Sequence, residues 1–135
     1  MVIDNPEKRD NFWNDADIVS KYSRADAIKD GTLADVTEQA KDCGFTVPVA
    51  ITDTVHNTIE QAVRNDSTND YAGILHDILT MAFYTVRRAP RGITAALMTV
   101  AIRGLSARKN IQLKIMIGPG DNAEPVITIS FPEEN

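Results

Sequence analysis

Apolar positions along this chain change their spacing partway through, and the change divides it into helical and extended halves. From Tyr71 to Arg88, residues Ile74, Leu75, Ile78, Leu79, Ala82, Phe83 and Val86 recur at steps of one, three and four. That is the stripe of a helix laid on a core. Asn69 and Asp70 suit its positive end, Arg87 and Arg88 its negative end, and Pro90 with Gly92 prevents continuation. Beyond it the period shortens. Ile111–Ile117 alternates Ile, Leu, Ile and Ile against Gln, Lys and Met, and Pro125–Phe131 supplies a final strand through Val126, Ile127, Ile129 and Phe131. Ile93–Ile102 (ITAALMTVAI) carries both signals, because Ala-Ala-Leu-Met favours helix while the flanking Ile, Thr and Val favour strand. The strand is preferred, since Gly104–Asn110 (GLSARKN) reads as a hairpin loop.

The first half reads as short helices. Ser23 with Asp26 forms a capping box in which Asp replaces Glu, and Gly31 can take the left-handed conformation that stops the helix. Asp35 with Glu38 suggests a second start of the same kind, ended by Gly44 after Cys43. Phe45–Ile51 (FTVPVAI) is apolar and β-branched, but Pro48 cannot donate to a ladder, so it is expected as an edge strand or connector. Thr52 or Asp53 caps a further helix with Val55, Ile59, Ala62 and Val63 on one face, and Arg64–Asp70 is a polar loop. The expectation is an α+β fold. Short N-terminal helices and one long central helix (about 71–88) pack on a C-terminal antiparallel three-stranded meander (about 93–131). Residues 1–20 are expected as a loosely ordered arm whose Phe12 and Trp13 dock on the body, with 21–135 a single domain.

Size and composition agree with one ordinary domain: 135 residues, 43% hydrophobic and 24% charged. No run approaches the roughly 18 apolar residues of a membrane span. The acidic start MVIDNPEKRDNFWND does not resemble a signal peptide. The single Cys43 excludes an internal disulfide, which fits a cytoplasmic setting.

Charge changes the picture more. Residues 1–70 carry fourteen acids and seven bases, a balance of −7, whereas residues 71–135 carry five acids and seven bases, a balance of +2. No acid occurs between Ile78 and Gly120, where Arg87, Arg88, Arg91, Arg103, Arg108, Lys109 and Lys114 all fall. Such a window can form a basic face for nucleic acid. The alternative, favoured by the overall acidity, is that the acidic half folds over it and pairs the charges internally.

Candidate chemistry is sparse. His56, Glu60 and Arg64 share a helix face, but a zinc site wants further ligands and His76 is the only other histidine. His76, Thr80 and Tyr84 form a polar stripe on the long helix, where an acid–base role competes with that of a satisfied helix flank. GPGDNAE at 118–124 lies between strands and opens no helix, so it lacks the geometry of a phosphate loop. Tyr22 and Arg24 stand at a helix N-terminus, where they could hold a carboxylate or phosphate. The competing role for Arg24 is a salt bridge to Asp30 or Asp35. No catalytic residue, metal or cofactor is expected.

Taken together, YSRADAIKDGTLADVTE, GFTVPVAIT, the RRAP after the long helix and GPGDNAEPVITISFP resemble a family of small bacterial proteins known only as a domain of unknown function. The similarity covers most of residues 20–132. Its members are common on plasmids, phages and integrated elements, so the resemblance implies an accessory protein of a mobile element in a bacterial cytoplasm. Three functions follow as expectations. The first is a non-catalytic modulator that blocks a host defence system, restriction or CRISPR, by occluding a host or element-encoded protein. The second is a nucleic-acid-associated factor using the basic 87–109 segment. The third is an enzyme around Tyr22, Arg24, His76 and Tyr84. A homodimer through a sheet edge or an apolar helix flank is compatible with each.

Overall fold

The computed structural model describes residues 22–105 and 110–134. The arm at 1–20, with Phe12 and Trp13, and the loop residue Arg108 lie outside them. Helix α1 (Arg24–Asp30) is followed by strand β1 (Leu33–Asp35), helix α2 (Thr37–Asp42), strand β2 (Val49–Thr52), helix α3 (Asp53–Asn65) and helix α4 (Tyr71–Arg88). Three strands complete the chain: β3 (Ala95–Ala101), β4 (Asn110–Pro119) and β5 (Pro125–Ser130). The C-terminal strands do form an antiparallel meander, and Ile93–Ile102 does contain a strand.

The sheet is nevertheless larger than the meander. Among the described residues it has five strands in the order β1-β2-β5-β4-β3, with β2 parallel to β5 and every other pair antiparallel. Phe45–Ile51 is therefore no edge or connector, because its second half is an interior strand. Pro48 is tolerated because it precedes the first paired residue, and its carbonyl still accepts from Ile127 N at 2.9 Å.

Local signals set the helix ends. Ser23 accepts from Asp26 N while Asp26 reaches back to Ser23 N, and Gly31 takes φ +89°. Thr52 caps α3 through Val55 N, and Asp70 caps α4 through Gly73 N. The second capping box does not form. Asp35 belongs to β1 and accepts from Thr37 N and Oγ1, while Glu38 pairs with Lys41. Gly44 has two reasons to be glycine: its φ of +113°, and a Cβ there would sit 2.7 Å from the Phe83 ring.

The two faces of the sheet are built differently. Ile51, Leu113, Ile115, Ile127 and Ile129 point inward, against Val55 and Ile59 of α3 and Leu75, Ile78 and Leu79 of α4. On the outer face, among the described residues, only α1 lies over the β1 side, where Ala27, Ala50 and Val126 are buried outside the main core. Of the apolar residues of α1, Ala27 alone is buried. Ala25 and Ile28 are exposed, because a helix of seven residues offers this shallow layer a single point of contact.

Candidate functional site

The outer face holds a groove of about 750 Å³ between α1 and the strands beneath it. Alternation along β4 and β5 puts Met116, Val126 and Thr128 on its floor. Tyr22, Arg24 and Leu33 form one wall, and Thr52, Asp53 and Glu134 close an end. Met116 is exposed there although it is large and apolar.

Arg24 and Tyr22 do meet in this groove, but both are already engaged. Arg24 donates from Nη1 to Thr128 Oγ1 at 2.7 Å and from Nη2 to the Ile127 carbonyl at 2.8 Å. Burial draws its guanidinium below the ordinary value, while the charges of Asp35, Asp121 and Glu124 oppose that shift. The expected ion pair with Asp30 or Asp35 gives way to a tie to the sheet. Nor is the helix N-terminus open to an anion. Asp121, from the distant β4–β5 turn, accepts from Arg24 N at 2.8 Å and Ala25 N at 3.0 Å. Tyr22 donates to Asp30 and contacts Thr32 Oγ1 at 3.2 Å. Its partner Asp30 raises the Tyr22 pKa, and the same bond lowers that of Asp30.

The C-terminal residues also serve this face. The segment after β5 is pinned by Glu134, whose Oε2 accepts from Thr52 Oγ1 at 2.9 Å and Phe131 N at 2.8 Å. Its carbonyl accepts from Lys114 Nζ at 2.9 Å. One sequence signal marks the groove: Met116 is an apolar residue on the polar side of the β4 alternation.

His76 and Tyr84 stand elsewhere. They lie on α4, which covers the inner face, so the sheet separates them from Tyr22 and Arg24. His76 Nδ1 lies 3.6 Å from Cys43 Sγ, which also sits 3.6 Å from Thr80 Oγ1. No sequence motif pointed to this pairing. Cys43 caps the C-terminus of α2, so the contact ties α2 to α4. His56 likewise bridges helices, with Nδ1 2.5 Å from Tyr71 Oη and Nε2 3.8 Å from Glu60. Burial first, then the Glu60 charge, raises the Tyr71 pKa.

The arginines do not assemble into one face. Arg87 and Arg88 end α4, stacked over Phe83 and Tyr84 at 5.5 and 5.9 Å, and Arg91 follows in the next turn. Arg103 lies past the far end of β3, its carbonyl bound by Asn69 and its charge near Asp66. Nor are the charges paired internally as expected. Among the described residues the ion pairs are Lys41–Glu38, His56–Glu60 and Arg64–Glu60, each within a single helix. Acids therefore stay outward around α1, α2 and the start of α3, and bases at the end of α4.

Fold and groove together define a small two-layer α+β domain with one packed and one half-open sheet face. The chain belongs to the family of unknown function DUF6573, whose model matches residues 9–135. That match reaches past the 20–132 segment into the N-terminal arm. No curated protein and no solved structure matches the chain. Among the described residues no helix is long and apolar enough to cross a membrane, and no cluster of ligating side chains could hold a metal ion.

Proposed function

We propose that this protein is a non-catalytic binding module that modulates a protein partner through the outer sheet face. The carrying observation is the groove of about 750 Å³ with exposed Met116 on its floor, beside an acidic flank made by Asp26, Asp30, Asp35 and Asp53. An apolar floor with a charged rim is the usual anatomy of a contact surface. Such a flank suits a basic partner and speeds its approach. Engagement of Tyr22 and Arg24 in fixed structural bonds supports recognition over catalysis. With the resemblance to proteins of mobile elements, the partner proposed is a host defence protein of restriction or CRISPR immunity, blocked by occlusion.

The test is affinity capture from host lysate with the full chain and its Met116→Lys variant, beside a phage-protection assay. Expected is a basic protein retained by the wild type, lost with the variant, and a matching loss of immunity only when the wild type is expressed. Equal capture by both chains, or immunity unaffected, contradicts the proposal. A second reading, association with nucleic acid, draws on Arg87, Arg88 and Arg91 beside Phe83 and Tyr84 at one end of α4. Binding absent even near ~50 mM salt would remove it.

A further inference from the structure

The free edge of β3 and the outer flank of α4 lie side by side, and each is compatible with two-fold pairing. Ile117 N donates to the Thr94 carbonyl at 2.9 Å, so alternation turns the backbone groups of Ala95, Leu97, Thr99 and Ala101 away from β4. Among the described residues no backbone bond reaches them. Edge strands are ordinarily blunted by charge, proline or brevity. The opposite edge, β1, has only three residues and ends in Asp35. By contrast β3 runs for seven, and from Ile93 to Ile102 there is no charge and no proline. Leu97, 55% exposed, stands next to its middle residue.

On α4, residues Asp77, Met81, Tyr84 and Arg88 follow one another at steps of four, three and four, which puts them on one face. Met81 and Tyr84 are 41% and 50% exposed. This face lies toward the β3 edge. Asp77 and Ile74 line a small cavity with Ala101, Ile102 and Arg103, while the opposite flank holds Phe83 against Phe45 and His76 against Cys43. In an antiparallel pairing about the stripe's centre, Met81 meets Tyr84 of the second copy and Asp77 meets its Arg88. The stripe is thus complementary to itself in both apolarity and charge.

We propose that this side of the molecule is an isologous dimer interface, in which β3 pairs antiparallel with β3 of a second copy and α4 packs on its α4. The two pairings fit one axis. Midway between Met81 and Tyr84 is ~8 Å from the end of α4, and Met98 is ~10 Å from the start of β3, at the rises of a helix and a strand. The product is a ten-stranded sheet with both grooves on the same side. This inference is independent of what the groove binds.

Sedimentation equilibrium of the full-length chain is the test, with Thr99→Pro, Asp77→Arg, Arg88→Asp and the Asp77→Arg/Arg88→Asp double variant. Expected are a wild-type dimer, dissociation constants raised about tenfold or more by each single reversal, and recovery in the double variant. Thr99→Pro removes only an outward N–H and is expected to give a folded monomer by circular dichroism. A wild-type monomer through the micromolar range overturns the proposal. So does a dimer indifferent to all four variants, or one that appears only after residues 1–21 are deleted, which would give the edge to the chain's own arm.

Discussion

The inner and outer faces of the sheet use the same strands for opposite ends. On the inner face the apolar side chains of the sheet share one core with those of α3 and α4, and Leu79, Leu113, Ile115 and Ile129 are wholly buried. On the outer face, burial is shallow and order comes from polar ties: Arg24 to β5, Asp121 to α1, and Glu134 to Thr52 and Phe131. The same strand β4 carries both styles one residue apart, with Ile115 buried and Met116 exposed. Apolar burial supplies most of the stability of a domain, so a face excused from it is free to keep apolar groups in the open. The contrast therefore separates what holds this fold from what is available to a partner.

Substitution sharpens the comparison most strongly in the core. Leu113→Ala is expected to cost about 3 kcal/mol or more in urea unfolding, by lost burial and the cavity left behind. Met116→Ala, on the other face of the same strand, is expected to stay within about 0.5 kcal/mol. Equal costs would erase the distinction. Arg24→Ala should come next, at about 2 kcal/mol, because two charge-assisted bonds are lost from a half-buried site. Arg24→Lys should recover little of this, since an ammonium cannot reproduce the guanidinium fork that reaches Thr128 and Ile127 together. Full recovery by lysine would reduce Arg24 to a simple charge.

A smaller effect belongs to the helical layer. The folded chain raises the Tyr71 pKa, so the folded state holds the phenolic proton more tightly than the unfolded chain. Its contribution is fully present below the ordinary value of about 10 and is lost as pH rises through the folded value. Tyr71→Phe should flatten the alkaline limb of the stability curve and leave its slope near neutrality unchanged. An unaltered alkaline limb would remove Tyr71 from the account.

The inner face was legible in the sequence because its periods are regular. The α4 stripe, the Asp70 and Thr52 caps and the alternation of Ile111–Ile117 each state one structure at short range. The outer face is made by contacts that no local pattern encodes. Asp121 sits in a turn whose Gly and Pro already explain its presence, yet its target is α1, 96 and 97 residues away. β1 is three residues long, too short for alternation to register, and Pro48 disguised β2 as an edge. The acid-free window misled by closeness along the chain. Arg88 and Arg103 are separated by a strand that carries them to opposite ends of the molecule, and the window lacks acids where alternate residues of β3 and β4 enter the core. The exposed Met116 is the local sequence mark of the groove, an apolar residue on the polar side of the β4 alternation.

The most direct test of the central claim, that the outer face is the working surface, is site-specific photo-crosslinking in the host cell. A crosslinker at position 116 reports on the groove, and one at position 60, on the solvent side of α3, reports on the helical layer. Crosslinking of a basic host protein from 116 and not from 60 is the result expected. Capture from 60 with none from 116 would contradict it.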